Sequence, residues 1–137
     1  MSEGPVPQPT LETAPFWEAA AAGELRIQKC LDCDRFYFYP RPCCPRCFSD
    51  RVEWQTVSGK ATLSSYIINY RPIPSFKSSD PQIIALVTLA EGPRMCTNIV
   101  GVPPDPEKLR LGMDLTVNFE PRGEQFLPVF TPTNGAR

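Results

Sequence analysis

The chain has 137 residues, enough for one ordinary domain or two very small ones, which excludes a large multidomain enzyme. Its 15 acidic and 14 basic residues nearly cancel and form no run of like charge, which argues against a protein that grips a nucleic-acid backbone. No apolar run approaches the roughly 20 residues needed to span a bilayer, and the first residues do not resemble a secretory signal. We therefore expect a soluble, cytoplasmic protein with no membrane or nucleic-acid partner.

We expect residues 1–12 to form a flexible tail, and the segment TAPFWEAAAAGEL that follows predicts a short helix. Thr13 is suited to cap its N-terminus, and Gly23 is placed to end it. A helix this short is marginal alone and needs tertiary docking, for which Phe16 and Trp17 supply part of an apolar face. We expect this face to cover the neighbouring ribbon. The alternative is docking on a partner chain or an acyl group, which makes Phe16 and Trp17 candidate partner contacts.

Two C-x-x-C pairs follow, Cys30 with Cys33 and Cys44 with Cys47, separated by ten residues. The two-residue spacing lets a tight turn aim two sulfur atoms at one ion, and two such knuckles complete a tetrahedron. Cys43 is a competing ligand, but pairing it with Cys47 would give a spacing of three residues. A closed four-cysteine site leaves no open position for substrate, so we expect a structural metal site. The spacing alone leaves both zinc and iron open.

The aromatic segment RFYFYP between the knuckles is predicted to pair, as a strand, with ELRIQK before the first knuckle, as in a zinc ribbon. A reducing cytosol disfavours structural disulfides, and a thioredoxin-like redox site would need a βαβ setting of which the sequence gives no sign. About 45 residues of helix and ribbon bury too little apolar surface to fold unaided. Metal binding would supply the missing free energy, on the order of 10 kcal/mol.

From VSGKA onward, apolar residues recur with a period of two, which predicts β-strands. The segment DLTVNFE is the clearest case, with Leu115, Val117 and Phe119 on one face. Five short strands with a longer link between the third and fourth match a Greek-key barrel of the oligonucleotide/oligosaccharide-binding (OB) type. The predicted strands cover residues 60–69, 82–90, 95–100, 114–120 and 126–131.

The predicted fold class is therefore mainly β, with an N-terminal helix and a rubredoxin-like zinc ribbon followed by a five-stranded OB-fold barrel. We place the helix and the four-cysteine ribbon at residues 13–57 and the barrel at residues 58–132. We expect residues 133–137 to form a C-terminal tail.

Candidate catalytic groups are scarce. The chain has no histidine, the commonest proton shuttle near neutral pH, and no spacing pairs two carboxylates. Cys96 falls within the third barrel strand, where the sequence offers no activating base, and we expect a packed thiol. We predict no catalytic residue.

The connection YRPIPSFKSSDP, residues 70–81, is the loop that OB barrels commonly use for binding. Its prolines limit the freedom lost on docking, and Phe76 offers an apolar anchor for a partner. Arg71 and Lys77 are candidates to face the phosphates of coenzyme A, although two ordinary surface cations explain them equally well.

The segments PFWEAAAAGELRIQKCLDC, PRPCCPRC, VSGKATLSSY, EGPRMCTNIVG and LRLGMDLTVNFEP occur here in one order. This ordered set resembles the zinc-ribbon/OB-fold acyl-CoA-associated family, formerly a domain of unknown function. Similar members accompany thiolase-superfamily enzymes, including thiolase-like aldolases of steroid side-chain breakdown and archaeal thiolase/hydroxymethylglutaryl-CoA synthase assemblies.

The resemblance implies a non-catalytic accessory subunit that joins a thiolase-like enzyme, or an acyl-CoA hydratase, in a hetero-oligomer of steroid or lipid metabolism. It implies acyl-CoA as a ligand shared with the partner enzyme, and structural Zn²⁺ held by Cys30, Cys33, Cys44 and Cys47. Two alternatives are a single-stranded nucleic-acid-binding OB module, which the near-neutral charge disfavours, and a rubredoxin-like iron electron carrier.

Overall fold

A computed structural model describes residues 6–74 and 80–133. Within these ranges one α-helix precedes eight β-strands, and the strands form two sheets. The helix, α1, is far too short to span a bilayer, and within the described ranges no helix has the length and apolar character to cross one. The elements are α1 (Ala14–Ala21), β1 (Arg26–Cys30), β2 (Arg35–Tyr37), β3 (Val52–Thr56), β4 (Lys60–Asn69), β5 (Gln82–Leu89), β6 (Arg94–Asn98), β7 (Asp114–Arg122) and β8 (Gln125–Pro132).

The helix begins and ends where the sequence predicts, but its first turn differs in detail. Thr13 occupies the N-cap position without a capping hydrogen bond, because its hydroxyl instead accepts from the Thr10 N–H at 2.8 Å. At the other end Gly23 adopts a φ of 80°. This left-handed turn brings the Glu24 N–H to 2.9 Å from the Ala19 carbonyl oxygen and satisfies the end of the helix.

The ribbon sheet has the order β2-β1-β3, all antiparallel. The predicted pairing of β1 with β2 is present, with Cys30 opposite Arg35. The strand β3, which the sequence pattern does not predict, pairs along the whole of β1 and places Val52 opposite Cys30. The strand that leads into the first knuckle is therefore held on both sides.

The second sheet has the order β6-β5-β4-β7-β8 and curls into a nearly closed barrel. A parallel bridge joins Ile99 to Phe130, and the Val100 N–H donates to the Phe130 carbonyl oxygen at 2.9 Å. The first barrel strand, β4, therefore lies between the second, β5, and the fourth, β7. The third, β6, approaches the fifth, β8, as in an OB fold. All five predicted barrel strands are confirmed, with ends shifted by a few residues.

Helix, ribbon and barrel share one apolar core. Strand alternation fills the barrel with side chains such as Val87, Leu115 and Phe130, each 0% exposed. The same cluster includes Phe16 from α1 and Ile27 from β1, together with Leu25 between them. The ribbon thus packs its inner face directly on the barrel.

The link between the two sheets passes through a tight contact at Gly59. Its φ is 79°, and a Cβ atom there would lie 2.4 Å from Cγ1 of Val117. The absence of a side chain lets the Gly59 carbonyl oxygen accept from the Val117 N–H at 2.8 Å. This approach helps to fix where the barrel starts relative to β7.

Candidate functional site

The two knuckles bring together the sulfur atoms of Cys30, Cys33, Cys44 and Cys47, which all lie within 4.8 Å of one another. The Sγ atoms are 3.6 Å apart for Cys30 and Cys47, and 3.7 Å apart for Cys33 and Cys44. Tetrahedral zinc with Zn–S bonds of about 2.3 Å would place its sulfur ligands about 3.8 Å apart. The four thiols therefore fit a closed tetrahedral thiolate site. In the described part of the chain, Cys43 lies outside the group.

Backbone amides point at these sulfur atoms. The Cys33 N–H donates to Cys30 Sγ at 3.5 Å, and the Arg46 N–H donates to Cys44 Sγ at 3.3 Å. Each knuckle then turns at the residue after its second cysteine, where Asp34 and Phe48 adopt φ values of 59° and 64°. Such amide donors stabilise negative charge on sulfur, as a metal thiolate requires.

The four thiols differ in acidity. The backbone N–H of Cys47, helped by that of Arg46, lowers the pKa of Cys44 to about 6. Burial and the neighbouring sulfur atoms raise the pKa of Cys33 to about 12. For Cys47, the Ser49 N–H lowers the pKa, but the Cys30 sulfur and burial outweigh it and leave the pKa raised. Without a cation, crowding of the sulfur atoms therefore keeps protons on some of them.

A polar network on the surface joins the first knuckle to the segment after the second. The Asp32 carboxylate accepts hydrogen bonds from the Arg51 guanidinium and the Ser49 hydroxyl. The Leu31 N–H also donates to the Arg51 carbonyl oxygen at 2.8 Å. These contacts keep the two knuckles facing each other.

A buried glutamine holds the chain between the knuckles. Gln28 is 6% exposed, and its Nε2 donates to the Arg41 carbonyl oxygen at 2.8 Å while its Oε1 accepts from the Arg41 N–H at 2.7 Å. The Tyr37 hydroxyl donates to the same carbonyl oxygen at 3.0 Å. Burial, as the largest cause, raises the pKa of Tyr37 to about 12. We call this arrangement the Gln28 clasp.

A groove of about 330 Å³ lies where α1, the chain after β2 and the barrel strands β6 and β8 meet. Aromatic rings form one wall: the Phe16 and Phe38 centroids are 5.6 Å apart, and those of Phe38 and Tyr39 are 4.5 Å apart. Cys96 and Leu127 lie on the barrel side. The volume lies within the range of small-molecule sites, and the walls are largely apolar.

Three candidate residues predicted from the sequence, Phe16, Trp17 and Cys96, line this groove. Phe16 is 7% exposed and belongs to the core as well as to the groove wall. Trp17 is half-buried and lines the groove beside it. The expectation of a packed thiol at Cys96 is wrong, because Met95 and Thr97 take the buried face of β6 and alternation leaves Cys96 exposed.

The predicted binding loop is described only in part. Arg71 is exposed, and its backbone N–H donates to Asn69 Oδ1 at 3.1 Å. Phe76 and Lys77 lie outside the described residues. The proposed contact of Arg71 and Lys77 with coenzyme A therefore stays a prediction, as does the Phe76 anchor. Tyr70, the first residue of the loop, is 64% exposed and adds an apolar surface there.

Two family models match consecutive parts of the chain. One is described as the rubredoxin-like zinc ribbon domain of ChsH2 and matches residues 17–53, and the other as the C-terminal OB-fold domain of ChsH2 and matches residues 54–120. The chain belongs to the ChsH2 family, which the relatives and solved structures described next also call DUF35. The resemblance and the fold class predicted from the sequence are thus confirmed, and the four-cysteine cluster is that of a zinc ribbon.

Several curated proteins resemble this family member. A DUF35 domain-containing scaffold protein of Methanothermobacter thermautotrophicus is 34% identical over 66% of this chain and 68% of its own length. A probable enoyl-CoA hydratase alpha subunit of Thermomonospora curvata is 42% identical over 85% of this chain, and a 3-oxo-4,17-pregnadiene-20-carboxyl-CoA hydratase alpha subunit of Mycobacterium tuberculosis is 31% identical over 82%. The chain spans only 36% and 35% of the length of these two hydratase subunits.

Solved structures agree with this family assignment. A chain of the Ltp2-ChsH2(DUF35) aldolase superposes with a TM-score of 0.79 and 36% identity, over 93% of this chain and 98% of that one. A DUF35 protein of unknown function from Sulfolobus solfataricus superposes with a TM-score of 0.60 at 20% identity, over 78% of this chain and 77% of that one, which supports the fold alone.

Proposed function

We propose that this ChsH2/DUF35 family member is a non-catalytic accessory subunit that binds a thiolase-like enzyme and helps to form its acyl-CoA site. The observation that carries the proposal is the match, nearly end to end, with a chain of the Ltp2-ChsH2(DUF35) aldolase. Steroid acyl-CoA metabolism is the setting we favour, because one relative is named for a pregnadiene-carboxyl-CoA substrate.

The chemistry of the described residues supports an accessory rather than a catalytic role. The chain has no histidine. Cys96 is the exposed thiol of the groove, and the described residues around it include no lysine or carboxylate to activate it. A four-thiolate site has no open position for a substrate. We infer that the reaction takes place on residues of the partner.

In this proposal Cys30, Cys33, Cys44 and Cys47 hold a structural Zn²⁺ ion. Bound zinc would supply folding free energy to the ribbon and no reaction step. The sulfur separations close to those of a tetrahedral site support this assignment. Metal analysis of the purified protein tests it: one zinc per chain in colourless protein supports it, whereas red protein containing iron would favour the electron carrier.

The groove is where we propose that this subunit meets the acyl part of the shared ligand. Its apolar walls suit a bulky hydrocarbon, and Trp17 and Leu127 line it from different elements. Arg71, with Lys77, would face the phosphates of coenzyme A. A Trp17→Ala variant of the complex should raise KM for the acyl-CoA, whereas Leu111→Ala, at an exposed site away from the groove, should not.

An acyl-CoA hydratase is a second candidate partner, favoured by the two relatives named as hydratase alpha subunits. One experiment decides between the partners. The tagged chain is purified from its own host, and the proteins recovered in near-equal amount are identified by mass spectrometry. A thiolase-like enzyme supports the first proposal, and a hydratase supports the second. Recovery of nucleic acid, or of the chain alone, would overturn both.

A further inference from the structure

The two knuckles use different residue types at the same structural position. The residue after the second cysteine is Asp34 in the first knuckle and Phe48 in the second, and both adopt a left-handed φ. At Phe48 this turn directs the Ser49 N–H at the Cys47 sulfur. Glycine, asparagine and aspartate adopt this conformation readily, whereas a bulky aromatic residue there is a genuine outlier.

Folding of this chain gains little from the Phe48 ring. The residue is 78% exposed, and within the described ranges its ring contacts no other aromatic ring and lies outside the apolar core. Its backbone is strained and its side chain faces solvent. Backbone outliers of this kind cluster at functional sites, which makes the exposed Phe48 ring a candidate for a contact outside the chain.

Arg46, two residues before Phe48 in the second knuckle, belongs to a residue type enriched at interface centres. Arg46 is exposed and forms no ion pair with the described residues. Aromatic and arginine side chains dominate the energetic centres of protein interfaces. The bonds within the knuckle hold the backbone of this tip in place, which lowers the entropy lost on binding.

We infer that the tip of the second knuckle, Phe48 with Arg46, is a contact through which this chain binds its thiolase-like enzyme. The matching surface of that enzyme would be an apolar pocket bordered by a carboxylate, because the Arg46 guanidinium loses water on docking and an acidic group would compensate that loss. This inference rests on the proposed function and deepens it by naming the surface that makes the contact. It differs from the groove and from Arg71 and Lys77, which face the ligand in that proposal.

The test separates the ring from the backbone strain. Phe48→Gly removes both, Phe48→Ala removes only the ring, and Asp34→Gly is the matched control at the equivalent position of the first knuckle. The zinc-loaded chain is titrated with the thiolase-like enzyme that co-purifies with the wild type, and Kd is measured by calorimetry. Thermal unfolding of each zinc-loaded variant is measured in parallel.

We expect both Phe48 variants to weaken binding by about tenfold or more. Phe48→Gly should at the same time keep or raise the unfolding midpoint, by about 2 °C, because the strain is relieved. Asp34→Gly should leave Kd unchanged. Arg46→Glu should weaken binding at low salt and lose part of that effect at high salt.

Other outcomes would contradict the inference. If Phe48→Gly binds the enzyme as tightly as the wild type does, the tip is not the contact. If the variant instead abolishes self-association of the isolated chain, the occupant is a second copy. If the wild-type chain binds no thiolase-like enzyme at all, the proposed function fails first, and this inference fails with it.

Discussion

The barrel and the ribbon are held together by different kinds of interaction. The barrel alternates buried and half-buried residues along strands such as β5, and its buried side chains fill the interior of the nearly closed barrel. The ribbon has a small three-stranded sheet, one buried polar clasp and four converging sulfur atoms. The barrel therefore depends on apolar burial, whereas the ribbon depends on directed bonds to specific atoms. Different perturbations should therefore destabilise the two regions.

Removing the metal should have the largest effect and should fall on the ribbon. A strong chelator, or the substitution Cys30→Ser, should abolish ordered knuckles at a cost on the order of 10 kcal/mol of metal-binding free energy. Amide hydrogen exchange should then show rapid exchange in β1 and β2 and slower exchange in β5. Cys43→Ser is the control, because Cys43 lies outside the sulfur cluster, and it should retain zinc.

Acid should act on the same site. Metal binding requires thiolates, and in the metal-free chain the pKa values of Cys33 and Cys47 are raised. Binding therefore releases protons, and the apparent zinc affinity should fall as the pH falls. Competition with a zinc indicator at about pH 8 and about pH 6 measures this change in apparent zinc affinity. An affinity that does not change with pH would contradict the four-thiolate assignment.

Truncating a buried barrel side chain should have the next largest effect on stability, and the metal should stay bound. Leu115 is 0% exposed, and Leu115→Ala should lower the free energy of unfolding by about 3 kcal/mol through lost burial and a cavity. Zinc content of the folded variant should equal that of the wild type. Leu111 is 67% exposed and serves as the control, because Leu111→Ala should change stability by less than about 0.5 kcal/mol.

Removing the Gln28 clasp should cost less and act locally. Gln28→Ala leaves the Arg41 N–H without its acceptor, and we expect a loss of about 1–3 kcal/mol. The change should appear as faster exchange of the Arg41 amide and of its neighbours, while β7 is unaffected. Uniform destabilisation of both sheets would show that ribbon and barrel respond as one and that the distinction between them is wrong.

The surface network around Asp32 should give the smallest effect. Asp32 and Arg51 have side chains that are 39% and 64% exposed, so water and salt screen their attraction. Asp32→Asn should lower stability by less than about 1 kcal/mol, measured by denaturant titration at two salt concentrations. A larger loss would identify the carboxylate as a necessary support of the first knuckle.

The two regions also differ in how much of them the sequence predicts. Alternation located all five barrel strands, because a strand with one buried face has apolar residues at every second position. Cysteine spacing located the knuckles for a similar reason. The strand β3 was missed: it follows closely after the second knuckle, and each of its residues is half-buried or exposed. The Gln28 clasp was missed because its partner is a backbone amide group, which leaves no mark on residue type.

The candidate surfaces were harder still to predict. The groove combines a helix, a ribbon loop and two barrel strands, and only their packing brings these segments together. The exposure of Cys96 follows from alternation along β6 once Met95 is known to face the core. The left-handed backbone of Phe48 conflicts with the ordinary preference of phenylalanine, so residue type alone would have predicted the opposite.

The core shared by α1, β1 and the barrel has a consequence for how this protein can be cut and recombined. Cleavage of the gene between ribbon and barrel would leave Leu25 and Ile27 facing water on one fragment and the barrel residues that pack on them exposed on the other. Neither fragment is therefore expected to fold on its own in a chimera. The piece that can be moved between chains intact is the ribbon and barrel together.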